Sequence, residues 1–246
     1  TGLHLGCSEL MGAENDMAVE VFDLATGELR ELNQRLHDLN EDAAKTPWRI
    51  LHPRGAHAVA AGVDSPVKID IEGHVGYYCA GMNQHAQITV HGMVGVGVAE
   101  NMMSGIVRVK GHASQSAGAT AHGGLLVIEG DAASRCGISM KGIDIVVGGS
   151  VGHMSCFMAQ AGHLLVCGDA DEALGDSLYE AQIYVRGQVK GLGADCVEKE
   201  MRDEHLDTLA GLLEKAEMGK VKPSEFRRYG SARQLYNFQV DNTSRY

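Results

Sequence analysis

Proline, aromatic residues and unbroken apolar runs are all scarce in this 246-residue chain, which holds 4 prolines and 5% aromatics. No apolar stretch approaches the ~20 residues that a membrane-spanning helix needs. Residues 1–15 lack the charged-then-apolar layout of a secretion signal. Basic residues are in deficit too: 21 Lys and Arg face 32 Asp and Glu, a formal net charge of −11. Nucleic acid and anionic membrane both require a basic face, so neither is expected as a partner. The six cysteines (Cys7, Cys79, Cys136, Cys156, Cys167 and Cys196) form no Cys-x-x-Cys pair. Their scatter is that of buried thiols in a cytoplasmic protein. Glycine, by contrast, is abundant: 32 residues, about twice the ordinary ~7% share.

Those glycines are ordered. Gly73, Gly92, Gly111, Gly130, Gly149, Gly168 and Gly187 recur every 19 residues without insertion. Two residues before each stands a β-branched side chain: Ile71, Val90, Val109, Ile128, Val147, Val166 and Val185. Aliphatics occupy the position four before, from Ile69 to Ile183, and Val or Ala the position two after, from Val75 to Val189. Alternation of this kind marks a strand with one face in a core, and seven copies at one period mark seven equivalent strands. Small residues seven after the glycine, and in most units thirteen after, predict corners; Ile143 breaks the second column.

A 19-residue unit is too short for a strand, a helix and two turns, but it suffices for one coil of a β-solenoid. The expected fold is therefore all-β, a right-handed parallel β-helix of about seven 19-residue coils with flanking α-helices. Three regions follow: residues 1–65 as a strand and helix cap, 66–195 as the β-helix, and 196–246 as a helix and a basic-aromatic docking tail. A strand is predicted over 19–24. Thr26 is positioned to cap a helix over residues 27–44, with an apolar stripe at Leu29, Leu32, Leu36 and Leu39. Asp195 and Glu198 form a capping-box pattern ahead of a helix running to about Met218.

Outward columns are polar early but apolar at Val127, Val146, Leu165 and Cys167. A helix of this chain or a partner subunit must cover them. Residues 219–246 carry six basic side chains against Glu225 and Asp241, together with Phe226, Tyr229, Tyr236, Phe238 and Tyr246. Such a segment either lies back on its own acidic rod or docks a partner through Arg227, Arg228, Tyr229 and Tyr236. Nucleophile elbows, Walker loops and His-Glu-x-x-His are missing from the sequence. Gly95 and Gly97 sit in a solenoid column with no helix after them. His74 and His112 lie two coils apart with Met93 between, and Asp131 and Asp169 are separated in the same way. All four read as surface residues, and no catalytic, cofactor or metal residue is expected on this chain.

Small residues at offsets zero, three and seven, as in Gly111, Ser114 and Gly118 or Gly149, Gly152 and Cys156, resemble the repeat of the GXGXG domain. That domain is similar to the C-terminal β-helix of the glutamate synthase large subunit. The resemblance spans about residues 60–195; the second slot departs from glycine at Ser114, Ala133, Asp171 and Lys190. The stretch from Glu225 to Tyr236 resembles stand-alone versions of the domain, including the β-helix subunit of N-methylglutamate synthase (methylamine–glutamate N-methyltransferase). The resemblance implies a non-catalytic scaffold in a hetero-oligomer, beside a glutaminase-type amidotransferase subunit and a synthase subunit holding FMN and an iron–sulfur cluster. A three-part glutamate-synthase-like amidotransferase and the β-helix subunit of formylmethanofuran dehydrogenase are the alternatives. A polysaccharide-degrading β-helix would display a row of exposed carboxylates, which the isolated acids here do not provide.

Overall fold

The computed structural model describes residues 18–232. Cys7, Tyr236, Phe238 and Tyr246 lie outside that range. The repeat strands are β3 (Lys68–Glu72), β4 (Gln87–Val90), β5 (Ile106–Val109), β6 (Leu125–Ile128), β7 (Lys141–Val147), β8 (Ala161–Val166) and β9 (Gln182–Val185). They stack in parallel, each on the next, as one sheet. Register follows the period: Ile71 pairs Val90, Val90 pairs Val109, Val109 pairs Ile128, and the column continues to Val185. A second parallel column runs from Val75 through Val94, Ala113, Ala132, Val151 and Ala170 to Val189. Both columns point inward, and their members from Ile71 to Ala170 are all buried. The expected parallel β-helix is therefore present. Two further rungs precede it: β1 (Glu20–Asp23) and β2 (Trp48–Leu51) extend the same parallel sheet.

Glycine recurs because the coils touch there. Gly111 donates its N–H to the Gly92 carbonyl at 3.1 Å, and the same bond links Gly130, Gly149, Gly168 and Gly187 to the marker one coil back. A Cβ on Gly92 would stand 2.6 Å from the Gly73 carbonyl carbon and oxygen. The column seven after the marker is glycine-rich for a different reason. Gly118, Gly137 and Gly175 have φ near +67°, and Ala80, Ala99 and Cys156 share that left-handed backbone. Ile143 stands out of its column because the corner glycine has moved to Gly142, with φ 144°, where β7 is longer and its register with β8 shifts.

The ends close differently from expectation. Helix α1 (Leu29–His37) is shorter than the predicted helix over 27–44 and starts from Glu28 without any side-chain cap. Asn40 ends the regular structure: its Oδ1 accepts the N–H groups of Asp42 and Ala43 and turns the chain into a short 3-10 helix. Leu32 and Leu36 are buried against the first coil. Asn33 completes the plug, donating to the Ala58 carbonyl and accepting from the Ala60 N–H.

At the other end, Asp195 and Glu198 do not start a helix. They flank and enter β10 (Cys196–Lys199), because that segment pairs with β11 (Arg227–Ser231), which itself pairs antiparallel with β9. Helix α2 (Asp203–Lys215) starts from Arg202, whose backbone N–H donates to His205 Nδ1 at 3.1 Å. Burial, then the nearby Arg228 charge, lowers the pKa of His205. A lowered value in the folded state means the unfolded chain takes up the proton first, so stability is full above about pH 6.5 and declines below it. The melting temperature of the wild type is expected to fall faster between pH 7 and pH 5 than that of His205→Gln. Parallel curves would remove His205 from the acid response.

Candidate functional site

Five outward side chains one residue after the marker glycine reach one coil along the rod. His74 Nδ1 accepts the Met93 N–H at 2.9 Å, His112 Nδ1 the Asp131 N–H at 2.9 Å, and Asp131 Oδ1 the Ser150 N–H at 2.8 Å. Ser150 Oγ accepts the Asp169 N–H at 3.0 Å and Asp169 Oδ1 the Gln188 N–H at 2.7 Å. The two histidines and two aspartates singled out in the sequence are thus rungs of one structural ladder. The sequence already signalled it, since the column holds an acceptor nearly everywhere. Met93 interrupts the ladder, having no oxygen or nitrogen to offer the next coil. Met93→Ser should raise stability by about 1 kcal/mol and Asp131→Ala should lower it by about as much, read from denaturant midpoints. An unchanged Asp131→Ala midpoint would show the ladder to be energetically idle.

The described thiols are all buried. Cys79, Cys136 and Cys156 are fully buried, and loss of hydration pushes Cys79 and Cys136 up to about 12. Cys156 is raised further by its neighbours Cys136 and Cys196, so none supplies the thiolate that a nucleophile or metal ligand requires. Among the described residues no three His, Cys, Asp or Glu side chains gather as a metal site. Gly95 packs on the Gly76 carbonyl of the coil before it, so its glycine serves coil stacking, not a phosphate cradle.

The docking residues need correction. Val127, Val146 and Leu165 are fully buried, and what covers them is this chain: Leu209, Leu212, Leu213 and Ala216 of α2, with Phe226, form one cluster with them. Arg108 fastens the helix end, donating from Nη1 to the Ala216 carbonyl at 3.0 Å, with Glu129 and Glu217 at 3.4 Å. Tyr229 is buried within β11 and cannot serve as a free anchor. Arg227 and Arg228 bond the carbonyls of Gly187 and Glu200. Residues 227–231 therefore lie back on their own rod, as one of the two readings held. Tyr236 is outside the described residues.

A different apolar face stays open. Tyr77, Met93 and Val96 are 54%, 50% and 47% exposed. They occupy the positions one and four after the marker, which flank the inward bridge residues Val75 and Val94 on the same bend. The His57 ring lies 4.3 Å from that of Tyr77, centroid to centroid, and holds it. The sequence carried this signal in the fourth column, where Tyr77 and Val96 precede Gln115.

Comparison with known proteins places one close relative beside this chain. Protein GlxC of Rhizobium meliloti (strain 1021) is 64% identical to it over 226 residues, covering 92% of this chain and 99% of the relative. No protein-family model matches the chain.

Proposed function

This chain belongs to the family of Protein GlxC, and on that footing we propose that it is the scaffold subunit of a glutamate-synthase-like enzyme. The observation that carries the proposal is the in-register stack of coils with the Gly-x-x-Gly-x-x-x-Gly repeat, which resembles the β-helix of the glutamate synthase large subunit. Within that class the stretch from Glu225 to Tyr236 favours N-methylglutamate synthase, which joins methylamine to the glutamate skeleton and releases ammonia. A three-part glutamate synthase is the second reading.

The partners in this proposal are a glutaminase-type amidotransferase subunit and a synthase subunit that holds FMN and an iron–sulfur cluster. The rod contributes stiffness: every coil is hydrogen-bonded to the coils on both sides, so two subunits seated on it keep a fixed spacing. Fixed spacing lets reactive nitrogen pass between active sites without escaping into water. Co-expression with a glutaminase-type amidotransferase subunit and an FMN-binding synthase subunit from the same genome should give one complex on size exclusion, absorbing at flavin wavelengths. Formation of N-methylglutamate from methylamine, against glutamate from glutamine and 2-oxoglutarate, separates the two readings. Failure of the three chains to co-elute would overturn the scaffold role.

A further inference from the structure

We infer that the outward bend of the rod bearing Tyr77, Met93 and Val96 is its partner-docking face, and that its occupant is a protein surface apolar at one end and basic at the other. The inference rests on the scaffold reading and adds to it which side of the rod is used.

Charge along this face decides the occupant. Following the two columns from the coil of Gly73, no carboxylate occurs until Asp131; beyond it come Asp169 and Glu172, both exposed. The first half of these two columns is thus apolar or neutral, and the second half is net acidic even with Lys190, which pairs with Asp171 at 2.9 Å. A partner that buried the first half with aliphatic or aromatic groups would meet the acidic half with lysine or arginine. A second copy of the chain fits poorly. Antiparallel rods would bury Asp169 and Glu172 against Tyr77 and Val96 with only Lys190, already paired to Asp171, to offset them, and parallel rods would set acid against acid.

Two further observations support the assignment. The apolar outer surface at Val127, Val146 and Leu165 is already covered by α2, whereas Tyr77, Met93 and Val96 lie bare and include the most exposed large apolar side chain of the coils, Tyr77. The backbone beneath is pinned from both sides: Val75 N–H bonds the Met93 carbonyl and Val94 N–H the His112 carbonyl. A base so rigid needs no ordering of its backbone on binding, so only side-chain freedom is lost.

Hydroxyl-radical footprinting of the full chain, alone and in complex with the amidotransferase and flavin subunits, tests the assignment. Tyr77 and Met93 should oxidise freely in the dilute chain and be protected several-fold in the complex. Met158, 41% exposed in another column, should react equally in both. A Tyr77→Glu, Val96→Glu double variant should weaken assembly by about 100-fold, and Glu172→Lys by about 10-fold at low salt, with the second loss vanishing as salt is raised. Protection of Tyr77 in the isolated monomer would mean the chain covers its own patch, and dimerisation abolished by the double variant would assign the face to self-association. Either result overturns the inference, as does a wild-type complex that forms equally well with the double variant. If no wild-type complex forms, the scaffold reading itself falls.

Discussion

Gly92→Ala is expected to cost about 3 kcal/mol of folding stability, although it adds one methyl group. The methyl would stand 2.6 Å from the Gly73 carbonyl carbon and oxygen and 2.9 Å from the His74 nitrogen. All three are backbone atoms, so no side chain can swing aside. Relief requires the two coils to part, yet the Val75 N–H must still reach the Met93 carbonyl and the Gly95 N–H the Val75 carbonyl, both at 3.0 Å. Strain therefore spreads along the rod. Gly211→Ala is the control: nothing lies within 4 Å of a Cβ there, the residue sits inside α2, and alanine should add about 0.5–1 kcal/mol. Urea denaturation of both variants checks the pair, and a Gly92→Ala midpoint equal to the wild type would refute the contact explanation for the glycine period.

That period was legible in the sequence because contact between coils leaves a compositional trace. Where coils meet backbone to backbone only glycine fits, and where strands face the core only aliphatics do, so the rungs from β3 to β9 could be placed to the residue. The loop conformation was not legible. Tyr78, Met82, Asn101, Thr120, Ser139 and Met158 all adopt a left-handed backbone, with φ from 52° to 60°. Asn101 apart, nothing in their side chains favours it. The bonds between coils impose it: the Tyr78 and Met82 N–H groups reach forward to Val96 and Glu100, while that of Ala80 between them reaches back to Val59. Such a conformation is set by the stack and only secondarily by the residue.

The ends were misread for a related reason. Asp195 and Glu198 have the local chemistry of a helix start, but β11 arrives from thirty residues away and pairs with that segment. The docking residues erred in another way. Hydrophobicity at Val127, Val146 and Leu165 correctly announced a cover, and α2, with Leu209 and Leu213 facing inward, was the nearer candidate. The open patch escaped because two exposed columns carry it, each apolar for only one or two coils.

Asn83→Asp, an isosteric change, should cost about 4 kcal/mol at pH 7. Asn83 lies ten residues after Gly73, in a column whose later members Met102, Ala121, Met140, Ala159 and Leu178 are buried and apolar, and it is itself fully buried. Its Nδ2 donates to the carbonyls of Ala86 and Ser104, both at 3.1 Å, while Oδ1 finds no donor among the described residues. Aspartate would replace the only donor by an anion facing two carbonyl oxygens in a dry interior. Burial raises a carboxyl pKa above its unfolded value of about 3.9, so the folded variant holds its proton more tightly than the unfolded one. The deficit must therefore shrink as pH falls toward 4 and the side chain regains a hydrogen to donate. Asn83→Met, which copies the neighbouring coils, keeps the Ala86 carbonyl bonded to the Ile106 N–H and orphans only that of Ser104, a loss of about 1–3 kcal/mol at every pH. If the aspartate and methionine variants lost equal stability with the same flat pH dependence, buried charge would not be the cause.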